Sequence, residues 1–192
     1  MRITTGAVAG LIFSALCAGV SASSGAAIAE AARERLQHQV KYDGSYQALS
    51  YPLGDVANER GVCSDLVRGI GIDLQRLVHE DMRVNFSAHP TRWGLRRPDR
   101  NIDHRRVPNL RRFLVRKGHS LPISSVATDY RPGDLVTWML PGNLPYIGIV
   151  SSRAVDGGSR PLIVHNIGAG PAEEDSLFRF KITGHYRFTR AH

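Results

Sequence analysis

The last third of the chain is cut into short segments by turns, and this punctuation limits the fold more than any other feature. Arg131-Pro132-Gly133-Asp134, Pro141-Gly142-Asn143 and Asp156-Gly157-Gly158 combine glycine and proline with Asn or Asp, the residues that tight turns demand. Between them lie runs rich in β-branched and aromatic side chains: Leu135 to Met139, Tyr146 to Ser151 and Pro161 to Asn166. A fourth run, Lys181 to Phe188, sets Ile182, Gly184, Tyr186 and Phe188 against Thr183, His185 and Arg187. That is the period of a strand with one face turned inward. Strands joined by connections this short pair antiparallel, so a meander is expected.

The first two thirds carry a helical period instead. Glu30 to Val40 is built from good helix formers and stops at Asp43-Gly44. Asp73 fits an N-cap, and Leu74, Leu77, Val78 and Met82 follow it as an apolar stripe. His79, Glu80 and Asp81 read as the solvated face of that helix, since adjacent residues do not share a face. Pro108 opens another helix, with Leu110, Phe113 and Leu114 apolar and Gly118 as its stop. Helices first and strands second predict an α+β domain.

Two stretches resist both periods. Tyr42, Tyr46 and Tyr51 lie in an ordered loop through Pro52-Leu53-Gly54-Asp55, where they line a groove or cover the core edge. His89 to Pro108 is long and polar, with Trp93, Asp103 and His104 among its residues. A loop of that length is expected to border a binding site or to be stitched by its own hydrogen bonds.

Residues 1–29 read as a secretory signal peptide. Arg2 supplies a positive start, Ala7 to Val20 is apolar and uncharged, and two small-residue cleavage patterns follow, Val20-Ser21-Ala22 and Ala27-Ile28-Ala29. The apolar run is too short and too rich in Gly and Ala for a good membrane span, so no stable span is expected after cleavage. The remainder, 30–192, is one domain by length, expected in the periplasm or outside the cell. The formal charge of the chain is +8. This favours anionic partners or is a solvated basic surface, and export argues against nucleic acid.

With Cys17 inside the leader, Cys63 is the single thiol of the domain. Gly61 loosens the backbone ahead of it, and Leu66 and Val67 begin an apolar face that suits a helix entering a core. A cysteine in a first helical turn meets free N–H groups and the positive end of the helix dipole, which favour the thiolate. Two readings stand: a nucleophile, or a small buried hydrophobe. The histidines are too scattered for a zinc site. No phosphate loop or dinucleotide fingerprint occurs, so no cofactor or metal is expected.

The order of a cysteine at a helix start, Pro132-Gly133-Asp134-Leu135-Val136, a strand ending Gly148-Ile149-Val150 and a strand bearing a polar residue resembles the papain-like NlpC and CHAP cysteine hydrolases. A closer resemblance is to an exported bacterial domain-of-unknown-function family, number 1287. It rests on Gly61-Val62-Cys63-Ser64-Asp65, Gly71-Ile72-Asp73-Leu74-Gln75, Asn101 to Leu110, Pro161 to Gly168 and Thr183-Gly184-His185-Tyr186.

The resemblance implies a papain-like fold, with N-terminal helices packed on a C-terminal antiparallel meander, in a monomer that acts on peptide amide bonds of peptidoglycan. Carried over by position, the catalytic set is Cys63, Tyr146 and His165. Asp65, Trp93, Asp103, His104 and Asn166 are candidates to bind substrate or support the site. Tyr146 stands where the hydrolase pattern has histidine, and tyrosine is a poor base at neutral pH. The stretch between Cys63 and Gly71 is also shorter than in that family. An impaired hydrolase and an inactive papain-like cell-wall binding module are therefore both open.

Overall fold

The computed structural model describes residues 25–188 apart from 55, 57–59, 62–71, 92–93 and 169. The C-terminal part forms a six-stranded antiparallel sheet in the order β3-β8-β4-β5-β6-β7. Its strands are β3 (Ser120–Leu121), β4 (Leu135–Leu140), β5 (Leu144–Ala154), β6 (Pro161–Asn166), β7 (Pro171–Glu174) and β8 (Lys181–Tyr186). The turns predicted from the sequence join β4 to β5 and β5 to β6, and Gly142 and Gly157 adopt positive φ within them.

The expected meander holds only as far as β6. Polar β7 extends it, and the last strand then crosses back to pair with β4 rather than with its predecessor. The crossing is fixed by burial: Leu177 is fully enclosed, and the Trp138 indole donates to its carbonyl at 2.9 Å.

Alternation along β8 is also broken. Thr137 faces Gly184 but Trp138 faces Ile182, so Thr183 is an extra residue in a β-bulge. The expected single face of Ile182, Gly184 and Tyr186 therefore splits. Tyr186 joins Leu135 beneath the helices, whereas Ile182 packs with Trp138 on the far side. Gly184 is required here, because a Cβ would lie 2.1 Å from the Tyr186 hydroxyl oxygen. The bulged carbonyl of Thr183 accepts from Arg111 at 2.7 Å.

Three helices cover one face of this sheet among the described residues: α1 (Gly25–Glu34), α2 (Leu74–Val84) and α3 (Val107–Arg116). Ile28 and Ala32 of α1, Leu74, Val78 and Met82 of α2, and Leu110, Phe113 and Leu114 of α3 meet Leu135, Ile147, Ile149, Val164 and Tyr186 in the main core. α1 starts at Gly25 and yields to a 3-10 turn at Arg35–Gln37, so it is shifted toward the N-terminus from the expected Glu30 to Val40. Burial explains the shift, since Ile28 and Ala29 are as deeply enclosed as Ala32. The Asp73 side chain caps α2 by accepting from Arg76 N at 2.9 Å, as the sequence predicts.

The supposed solvated face of α2 is solvated only at Glu80. Asp81 is buried and accepts from His89 Nε2 at 2.8 Å, Arg116 Nε at 2.9 Å and Lys117 Nζ at 3.1 Å. The partners come from the loop after α2 and the end of α3, which a helical wheel does not show.

A second buried carboxylate ties the first turn to the last strand. Asp134 Oδ2 accepts from Arg131 N at 2.9 Å and lies 2.7 Å from His185 Nε2, while Oδ1 accepts from Arg187 Nε at 2.6 Å. Burial raises its pKa, but the contacts with His185 and Arg187 outweigh this and hold it below the usual carboxylate range. Tyr130 stacks on His185 with ring centroids 4.3 Å apart. The Pro-Gly-Asp turn is in this way a latch for the C-terminal strand.

Candidate active site

Cys63, Asp65 and Trp93 lie outside the described residues. The segment that leads to the cysteine is anchored two residues earlier. Strand β2 (Arg60–Gly61) pairs in parallel with β1 (Lys41–Tyr42), and Gly61 O accepts from Asp43 N at 3.0 Å. The loop after β6 reaches the same place. Gly170, at φ +116°, packs so closely on Val40 that an added Cβ would lie 3.3 Å from its carbonyl oxygen. The chain thus brings the end of β6, which carries His165 and Asn166, to the strand pair that enters the Cys63 stretch.

His165 is buried, and alternation sets it on the face of Ile163, away from α1 to α3. Neither ring nitrogen makes a hydrogen bond among the described residues, although Nε2 lies 3.3 Å from Glu174 Oε1. Burial lowers its pKa more than Glu174 raises it, so the imidazole is neutral at pH 7. A neutral, unbonded imidazole is able to accept a proton.

Tyr146 is buried as well, opposite Trp138 in register, but its ring packs with the helix-side core. It makes no hydrogen bond to His165. Two residues after Tyr146 in β5, Gly148 is obligatory: a Cβ there would lie 2.9 Å from Ile163 Cγ2 and Val164 O. Asn166 is buried on the next register position, paired with Pro171, and its Oδ1 has no hydrogen bond among the described residues.

Asp103 and His104 are buried in a 3-10 turn at Asp103–Arg105, so the long loop is stitched as well as placed. Asp103 Oδ2 accepts from Asp99 N and lies 4.0 Å from His79 Nδ1, while Oδ1 has no hydrogen bond among the described residues. Burial is the largest influence on this carboxyl and raises its pKa to about 6. Next to it, Arg105 donates to Asp43 O at 2.9 Å and Ser45 O at 3.1 Å, which supports the loop that holds Gly61. Buried Gln75 of α2 accepts from Gly54 N and donates to Ser50 O and Arg100 O. Asn101 accepts from Leu49 N at 2.9 Å and donates to the Tyr46 hydroxyl at 2.7 Å.

Sequence reasoning missed Glu174, Gln75 and Arg105 as contributors. Glu174 sits in a strand too polar to be read as one, while Gln75 and Arg105 look like surface residues until their partners are known. No cluster of three metal-binding side chains occurs among the described residues, and none of their helices is long and apolar enough to cross a membrane.

No solved structure matches this chain significantly. It is 49% identical over 173 residues to the uncharacterized protein YijF of Escherichia coli strain K12, covering 88% of this chain and 84% of the relative. The family model described as "Domain of unknown function (DUF1287)" matches residues 29–188, from the core of α1 to the end of the sheet. The chain belongs to the DUF1287 family.

Proposed function

We propose that this protein is an exported, papain-like cysteine hydrolase that cleaves peptide amide bonds in bacterial cell-wall peptidoglycan. The observation that carries the reading is the convergence of the β1–β2 pair, which leads to Cys63, with the loop that follows His165 on β6. In the proposed reaction, the Cys63 sulfur attacks the amide carbon as its proton passes to His165. The protonated imidazole then protonates the leaving amine, and water hydrolyses the thioester, returning thiol and acid. Glu174, beside Nε2, orients the imidazole and stabilises its charged form. Tyr146, whose ring packs on the opposite face of the sheet from His165, contributes no basicity.

The test is digestion of purified sacculi, followed by chromatography of released stem peptides. Release that disappears in Cys63→Ala supports the reading, and Tyr146→His is expected to raise the rate by restoring an imidazole at that position. No release by either the parent or Tyr146→His between pH 5 and 9 refutes hydrolysis.

The second reading, an inactive cell-wall binding module, is favoured by the buried phenol of Tyr146 and its lack of a hydrogen bond to His165. It predicts co-sedimentation with sacculi that Cys63→Ala leaves unchanged. A parent protein that stays in the supernatant refutes it.

A further inference from the structure

We propose that the cavity between α2 and the loop before α3 is an anion-binding site, one that takes a small ligand bearing carboxylate or phosphate groups through Arg96, Arg97 and Arg100. It is an open groove of about 600 Å³, with Tyr46 and His79 on one side and residues 94–101 on the other. A volume of that order suits a small organic anion.

Several arginines of the domain are engaged: Arg116 on Asp81, Arg187 on Asp134, Arg160 on Asp175 and Arg105 on two backbone carbonyls. Arg96 and Arg97 have neither an ion pair nor a side-chain hydrogen bond among the described residues, and Arg100 only lies over the Tyr51 ring at 5.5 Å. The acid in the wall, Asp99, is already engaged through Oδ1 with Asn101 N at 2.9 Å. Three guanidinium groups thus share a concave surface with a single carboxylate, and guanidinium matches carboxylate and phosphate oxygens in paired geometry.

The wall is held in place before any ligand arrives. Gln75 of α2 grips Arg100 O, and Asn101 is fixed to Leu49 and Tyr46. His79 reports the local potential: burial lowers its pKa first, and Arg83 and Arg100 lower it further against Asp99 and Glu80. Its Nδ1 is buried and has no hydrogen bond among the described residues. A site that is preorganised, positive and concave binds anions without reorganisation cost.

This inference stands apart from hydrolysis, so it is tested in the Cys63→Ala protein, where failure of one does not affect the other. Calorimetric titration at low salt with pyrophosphate and, separately, citrate is expected to show saturable binding of at least one. A preference for pyrophosphate points to a phosphate-bearing ligand, and a preference for citrate to a polycarboxylate. Arg96→Ala/Arg97→Ala/Arg100→Ala is expected to weaken binding at least about tenfold. Arg160→Ala, which removes an equally basic but distant side chain, leaves it unchanged. The His79 imidazole resonances shift on titration in the parent and not in the triple variant. Binding of neither anion, or equal binding by the triple variant and Arg160→Ala, overturns the proposal. All three arginines are exposed, so the variant keeps its fold, which circular dichroism verifies.

Discussion

Replacing Asp81 by asparagine removes the charge at the centre of a four-residue cluster, and the cost depends on pH. Burial disfavours this carboxylate, but Arg116, His89 and Lys117 more than compensate and bring its pKa from 3.8 to about 2. The folded pKa lies below the unfolded one, so the stabilisation is fully present above about pH 5 and is lost as the pH falls through 2. The shift corresponds to about 2 kcal/mol at neutral pH and about 1 kcal/mol at pH 3, where the unfolded carboxyl is already mostly protonated. Asparagine has no such dependence. The parent and Asp81→Asn proteins are therefore expected to differ by about 2 kcal/mol in urea denaturation at pH 7 and by about half that at pH 3. In thermal scans at pH 7 the difference is roughly 5 °C for a domain of this size. A gap that stays constant between pH 7 and pH 3 refutes the argument, because the penalty would then come from packing rather than from charge.

Asp103 presents the opposite sign. Its pKa rises to about 6 on burial, so ionisation destabilises the fold progressively as the pH climbs from about 4 to above 6. Asp103→Asn, which keeps an acceptor for Asp99 N, is expected to be more stable than the parent at pH 7.5 and equal to it at pH 4, as read from urea midpoints. For the proposed leader, the buried positions of Ile28 and Ala29 favour cleavage after Ala22 over cleavage after Ala29, which would strip α1 of part of its core face. Intact mass of protein recovered from the periplasm is expected to correspond to a start at Ser23, and a start at Glu30 contradicts this.

Local patterns carried much of the architecture into the sequence. The Asp73 cap, the stripe from Leu74 to Met82, the Pro108 helix start and strands β4, β5 and β6 were all readable, because each is set by neighbours within a few residues. The partner of β8 was not readable. It depends on Leu177 burying beneath Trp138, a contact between residues far apart in the chain. The bulge at Thr183 escaped for a related reason, since alternation is visible in one strand and slippage only in two. In the candidate site, His165 is proposed from its place in a motif, but Glu174 lies on a strand with no apolar signature. The burial of Asp81 and Asp103 depends on cations and backbone groups that arrive from other segments, which residue type alone does not announce.

The position of β8 between β3 and β4 has a consequence for biosynthesis. A ribosome releases residues 181–186 after every other strand of the sheet, yet they occupy its interior rather than its rim. Until they arrive, β4 exposes an unpaired edge and Asp134 lacks two of its partners. Such non-local closure delays completion of the sheet until β8 has been synthesised. A nascent polypeptide that stays open for that long suits the export proposed above, since a translocation channel passes only an unfolded chain.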